Sequence, residues 1–337
     1  MGKTRSRSRA RSHGTGTGAT ADPECRQIQA LLERARIRPR KSLGQSFLYD
    51  RELLAREVAY AELTGSETVL EIGAGVGNLT ALLAAAAGQV MAVEQDRRFA
   101  PFLCRLQQRH ANLEILLGDA LRVELPAFDK VVANLPYTPA LPLTFRLLEQ
   151  RFDRAVLMYQ RRLAERLCAR VGESRYGRLS IAVGRRAQVE LLEIVPPLAF
   201  YPPPAVDSAL VLLRRTQPRF SVPSEEFFRQ LLEGLFAHRD LALDEALQLT
   251  TGAPGPPGRG GRKPVRPSSG ISSAESGGRD DGARGAAGRQ PDLIDVSPAR
   301  AQKALARVGG RLPQKRVAAV TPREFGRLSW ALWEASG

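Results

Sequence analysis

The sharpest chemical signal is Asn134-Leu135-Pro136-Tyr137, directly after the apolar run Val131-Val132-Ala133. The run reads as a buried strand, so the four residues stand at its carboxyl end. An exocyclic amine such as that of adenine is a poor nucleophile, because its lone pair is delocalised into the ring. Two acceptors on its hydrogens, the Asn134 side-chain oxygen and the Leu135 carbonyl, favour a more tetrahedral nitrogen whose lone pair can attack. Pro136 fixes the backbone so that the acceptors converge. Tyr137 offers a face for the base to stack on. Neither metal nor strong base is required: the proton can leave to water, and the rate comes from alignment and electrostatics. A simple Asn-x-Pro turn is the plainer alternative.

A second stretch, Thr68-Val-Leu-Glu-Ile-Gly-Ala-Gly-Val-Gly-Asn-Leu-Thr80, reads as strand, glycine turn and helix, with Asn78 or Thr80 able to cap the helix. That frame holds a nucleotide-like cofactor, because glycines let the backbone come close. The spacing is Gly-x-Gly-x-Gly through Gly73, Gly75 and Gly77, not the Gly-x-Gly-x-x-Gly of dinucleotide binders. Glu71 precedes the first glycine by two; a carboxylate there repels a pyrophosphate and suits a cationic ligand. S-adenosylmethionine, with its sulphonium and ammonium, is such a ligand. Glu94 ends the next apolar run 21 residues after Gly73, where a carboxylate can hold ribose hydroxyls. Asp119 follows the run Leu113–Leu117 and is either an acceptor for an adenine amino group or a surface turn. Phe200, ahead of Tyr201 and three prolines, either brings a second aromatic to the base or packs in the core. A nicotinamide oxidoreductase would leave Asn134–Tyr137 without a role.

These residues need a scaffold, and the hydrophobic periodicity describes one. Short apolar runs at 69–72, 90–93, 113–117 and 130–133 alternate with helical patterns near 78–87, 97–109 and 140–150. Repeated βα units predict a parallel sheet covered on both faces. A strand at 155–158, helices near 160–170 and 177–186, and strands at 188–195 and 206–214 complete a domain over 25–217. Residues 218–337 predict a helical C-terminal domain, with an amphipathic helix at Glu225–His238, helical pattern at 240–249 and Pro298–Val308, and a last helix opened by Thr321-Pro322. Residues 1–24 and 251–290 are too poor in large apolar residues to form a core and are expected to be disordered. The first is a passive tail, an RNA-touching Ser-Arg segment or a transit segment.

The chain has 337 residues, a net charge of +15 and 43% apolar residues, enough for a substantial core. It stays basic when the two tail-like stretches are set aside, which favours a polyanionic partner such as nucleic acid. Cys25, Cys104 and Cys168 lack paired spacing and the three His are scattered, so reduced thiols and no metal site are expected. No run is long enough for a membrane span.

Taken together, residues 36–216 resemble the small-subunit ribosomal RNA adenine dimethyltransferases, relatives of the antibiotic-resistance methylases of large-subunit rRNA. The matching stretches are Ser42–Leu48, Glu71–Thr80, Glu94, Gly118–Leu121, Asn134–Tyr137, Tyr176–Ser180 and Phe200–Ser208. The resemblance implies an α/β fold: a Rossmann-like seven-stranded methyltransferase sheet with a small helical C-terminal domain. It implies transfer of two methyl groups from S-adenosylmethionine to N6 of each of two adjacent adenines in the hairpin near the 3′ end of small-subunit rRNA. By position, Ser46, Leu48, Gly73, Gly75, Glu94, Asp119 and Asn134 would contact the cofactor, and Asn134, Leu135, Tyr137 and Phe200 would hold the base. The expected partners are small-subunit rRNA and the pre-small ribosomal subunit, met by a monomer. Leu312–Val317 and Arg323-Glu-Phe look archaeal-like, which implies an archaeal cytoplasm. Three stretches depart from the family pattern: Ser46 in place of His or Asn, Thr138-Pro-Ala140 in place of Asn-Ile-Ser, and a largely neutral or acidic His238–Asp244 in place of a basic run. They motivate a second reading, an assembly-binding factor of the same fold with weak or absent methylation.

Overall fold

The computed structural model describes residues 22–251 and 296–336. Most of the expected tail and nearly all of the expected insertion lie outside the described residues. At their edge, Pro23 and Glu24 already belong to helix α1 (Pro23–Arg34), started by Asp22, whose side chain accepts from the Glu24 N–H.

The chain continues through β1 (Phe47–Leu48), α2 (Arg51–Tyr60), β2 (Thr68–Ile72), α3 (Asn78–Ala86), β3 (Gln89–Glu94), α4 (Ala100–Gln107), β4 (Leu113–Leu117), β5 (Lys130–Asn134), α5 (Ala140–Glu149) and β6 (Arg154–Gln160). Then come α6 (Arg161–Cys168), α7 (Arg178–Gly184), β7 (Ala187–Val195), β8 (Phe200–Tyr201) and β9 (Ser208–Arg215). Seven strands form one sheet in the order β4-β3-β2-β5-β6-β9-β7. The first five are parallel, and β9 runs antiparallel to both β6 and β7. Covering helices on both faces explain why the central strands are apolar throughout: Val69 points into one core and Leu70 into the other. The order reverses between β2 and β5, where a doubly wound sheet opens a crevice at the strands' carboxyl ends.

A third core gathers α8 (Glu225–Ala237), α9 (Leu243–Thr250), α10 (Pro298–Val308) and α11 (Pro322–Ser336). Ser224 caps α8 through the Phe227 N–H. Thr321 and Glu324 form a reciprocal capping box at the start of α11, with Thr321 N–H to Glu324 Oε2 at 2.8 Å. The helical pattern expected from 240 begins only at Leu243. Residues 239–243 instead exchange backbone hydrogen bonds with 315–318, so the segment that lacks the family's basic run latches two parts of this core. No helix among the described residues is long and apolar enough to cross a membrane.

Ala169, Tyr176 and Ile181, between and along α6 and α7, pack into this third core and tie it to the sheet. The buried Tyr176 hydroxyl donates to the Val320 carbonyl at 2.9 Å. Tyr176→Phe leaves that carbonyl without its donor and is expected to cost about 1 kcal/mol. Urea unfolding checks this as a lower midpoint at unchanged slope.

Candidate active site

A cleft opens at the carboxyl ends of β2, β3 and β5, with about 890 Å³ of empty space when the part open to solvent is counted. Ser46, Leu48, Gly73, Gly75, Glu94, Asp119 and Asn134, the seven residues expected to contact a cofactor, all line it, together with Glu71, Gln45 and Pro136. The glycine turn is held open from below. Gly75 has a φ of +55°, and a Cβ there would lie 3.0 Å from the Phe47 ring. Its N–H donates to Glu94 Oε2 at 2.8 Å, and the other Glu94 oxygen accepts from the Asp96 N–H at 2.7 Å. Glu94 is thus both a candidate ribose ligand and the clasp of the loop. Burial raises its pKa, opposed by these two backbone donors. Asn78 does not cap α3, and neither does Thr80; the cap position is Gly77, without a side-chain bond. Asn78 Nδ2 donates instead to the Leu48 carbonyl at 2.9 Å, fastening β1 to the glycine turn.

Asn134 ends β5 with its carboxamide at the cleft. Its Nδ2 donates to Glu57 Oε2 at 3.3 Å, while its Oδ1 is buried without a hydrogen-bond partner. An unpartnered buried acceptor is costly unless something else satisfies it. The Leu135 side chain is buried in the sheet core, and Leu135 is not among the residues that line the cleft. Tyr137 is half-buried, its hydroxyl paired with Ser208 Oγ at 2.6 Å, and burial raises its pKa. Thr138 and Pro139 lead directly into α5.

Of the four residues expected at the base, Asn134 alone lines the cleft, and Phe200 is taken up by the core. It is 4% exposed, packed in the same core as Phe47 and Leu48, and paired with Leu48 in the β1–β8 ladder. In this conformation it presents no free ring face; the core-packing alternative is the one seen.

Several residues of the site had not been singled out. Gly44, with φ +63°, brings the basic loop against the Asn134–Tyr137 turn, and a Cβ there would stand 3.3 Å from the Tyr137 nitrogen. Gln45 Nε2 donates to Asp96 Oδ2 at 2.8 Å, and Arg98 Nε to Asp96 Oδ1 at 2.9 Å, so Asp96 pins that loop beside Glu94. The Arg98 guanidinium holds the Asp96 carboxyl well below the usual range. Glu57 carried a signal: Leu53, Leu54, Glu57 and Val58 make a helical stripe, so the acid sits on the apolar face of α2. Gln45 lies in the Ser42–Leu48 stretch that carries the family resemblance, but its own part was not visible there, because its partner is 51 residues away.

Glu57 and Glu71 are 0% and 2% exposed, and burial pushes each carboxyl up to about 8, with Glu71 also raising Glu57 by like charge. The folded state therefore holds protons that the unfolded chain releases above its ordinary carboxyl pKa, near 4.3. This contribution to stability is complete at low pH and lost as pH rises toward 8, about 1 kcal/mol per unit for one such group. Melting temperatures are expected to fall between pH 5.5 and 8.5, and Glu71→Gln to flatten the slope. No group of three or more His, Cys, Asp or Glu that could hold a metal occurs among the described residues.

The family model for ribosomal RNA adenine dimethylase matches residues 36–254. A probable ribosomal RNA small subunit methyltransferase A from Methanococcus maripaludis is 43% identical over 213 residues, covering 63% of this chain and 81% of the relative. Its counterpart from Thermococcus sibiricus is 41% identical over 222 residues, covering 66% and 80%. Among solved structures, a dimethyladenosine transferase from Plasmodium falciparum superposes with a TM-score of 0.62 at 24% identity, covering 84% of this chain and 96% of that one. The 23S rRNA methyltransferase ErmE superposes with a TM-score of 0.55 at 27% identity, covering 85% and 99%.

Proposed function

This chain belongs to the ribosomal RNA adenine dimethylase family, in its archaeal-like branch, and from that premise we propose how its cleft works. The protein is an rRNA methyltransferase that converts two adjacent adenines in the hairpin near the 3′ end of small-subunit rRNA to N6,N6-dimethyladenosine. The single observation that carries this reading is the unpartnered, buried Oδ1 of Asn134 at the edge of a nucleoside-sized cleft.

The cleft suits S-adenosylmethionine. A glycine turn leaves room that side chains would fill, and Glu94 stands where its remaining lone pairs could accept from ribose hydroxyls. Glu71 and Glu94 line the cleft with no cation of their own; burial raises both carboxyls, and a positively charged ligand beside them would favour their ionised forms. Ser46, Leu48, Gly73, Gly75, Glu94, Asp119 and Asn134 would hold it. When bound, the cofactor supplies a methyl group on an electron-poor, positively charged sulphur.

The chain's own residues do the rest. Asn134 Oδ1 and the Leu135 carbonyl accept from the adenine amine and draw its lone pair out of conjugation. Pro136 keeps the two acceptors in a fixed relation. Tyr137, held by Ser208, supports the base from one side. With the methyl group transferred, the amine's proton passes to water, and the second transfer repeats the geometry. Phe200, packed in the core and paired with Leu48 in the β1–β8 ladder, takes no part at the base in this conformation. The alternative, an assembly factor without methylation, is not favoured, because the relatives are named as methyltransferases. We place the protein in the cytoplasm, acting as a monomer on the pre-small ribosomal subunit.

Incubation of the full chain with S-adenosylmethionine and small-subunit particles, followed by mass spectrometry of rRNA fragments, tests this. Two dimethyladenosines at neighbouring positions are expected. Unmodified rRNA, or methyl groups elsewhere, would overturn it.

A further inference from the structure

Resting on that reading, we propose that Glu57 is a positioning residue: by taking the amide end of the Asn134 side chain, it turns the oxygen end to the substrate. The two ends of a carboxamide are close to isosteric, so packing alone does not decide between them; hydrogen bonding does. The proposed chemistry works only one way round, with the acceptor toward the amine. Glu57 makes the choice with Oε2, the oxygen that faces the amide; the proton that the buried carboxyl keeps belongs on Oε1, which faces no acceptor. Its Oε2 accepts from Asn134 Nδ2 at 3.3 Å across 77 residues of sequence, and Asn134 Oδ1 is left without a partner.

Packing does not explain an acid at this position. Glu57 is fully buried within the apolar stripe of α2, where Leu or Met would fit the pattern. Its Oε1 has no hydrogen-bond partner, and no ion pair with a cation is formed. The charged groups that face it, Glu71 from β2 and Glu193 from β7, are of like sign. Such a group costs stability, and an apolar residue of similar volume in its place is often neutral or stabilising. Glu57 does not line the cleft itself, so it acts through Asn134 and not on the substrate.

The test compares wild type, Glu57→Leu and Glu57→Gln as full-length proteins. The first readout needs neither cofactor nor RNA: the side-chain amide resonances of Asn134 in a nitrogen–proton spectrum, assigned by their loss in Asn134→Ala. Glu57→Leu is expected to move the bonded amide proton upfield and to keep or raise the melting temperature. It is expected to lower single-turnover methyl transfer about 10- to 100-fold with cofactor affinity little changed. Glu57→Gln keeps an acceptor and is expected to restore both the resonance and the rate. Unchanged Asn134 resonances in Glu57→Leu, or transfer at the wild-type rate, would overturn the proposal. Glu57→Met, of similar length, serves the same comparison if the leucine protein does not fold. If the wild type transfers no methyl group at all, the functional reading fails, and the amide resonance alone then judges the role of Glu57.

Discussion

Asn134→Ala is expected to reduce methyl transfer by about 10²–10³-fold while the protein still folds and still binds rRNA. Removing a single preorganised hydrogen-bonding group aimed at developing charge typically costs that much. Asn134 has one end free for the substrate: its Oδ1 is an unpartnered acceptor at the cleft, and its Nδ2 is already engaged by Glu57. The substitution also leaves Glu57 without its donor, but that carboxyl is held protonated by burial near neutral pH, so the fold loses one weak bond and gains no bare charge. Single-turnover transfer to small-subunit particles measures the effect, with circular dichroism and filter binding as controls. Asn134→Asp is expected to do no better. It places an anion where an amide oxygen is needed, beside two buried acids, and carries an acceptor with no preference of orientation.

Glu94→Ala is expected to weaken S-adenosylmethionine binding by about 10²-fold or more. Two effects add. The ribose loses its carboxylate, and the glycine turn loses its clasp, because the Gly75 and Asp96 N–H groups both bond to this side chain. Hydrogen bonds to a charged group contribute about 1.5–3 kcal/mol each, so losing one toward the ligand and loosening the loop spans that range. Glu94→Gln keeps one acceptor and is expected to fall between. Isothermal titration with S-adenosylmethionine measures both; wild-type affinity in Glu94→Ala would show that the ribose lies elsewhere.

Much of the scaffold was legible because its signals are local. The parallel strands read as short apolar runs since helices cover both faces, and the helices read from stripes such as Phe227, Phe228, Leu231, Leu232 and Leu235. The glycine turn, Glu94 and Asn134 were legible because each stands at or just past the carboxyl end of a strand, where a doubly wound sheet gathers its ligand residues. What was illegible depends on pairing across the chain. Phe200 reads like a free aromatic ahead of prolines; only the ladder with Leu48 shows that its ring is taken up by the core. The acids of the cleft floor were half visible. Glu71 drew notice by its place before the glycines, while Glu57 showed only as an acid on an apolar helical stripe, with nothing local to say what it would meet. Its importance comes from contact with β5, and periodicity carries no information about which strand a helix will cover.

The latch between residues 239–243 and 315–318 has a consequence for how the polypeptide tolerates breakage. Helices α9 and α10 flank the stretch from 252 to 295 and lie side by side, while the last forty or so residues interdigitate with α8 in one core. The side chains of this core and the latch therefore hold α10 and α11 to α8 and α9 through contacts that do not depend on the chain being continuous between α9 and α10. A protease cut anywhere in that stretch would yield two polypeptides on a denaturing gel and one undivided particle on a sizing column.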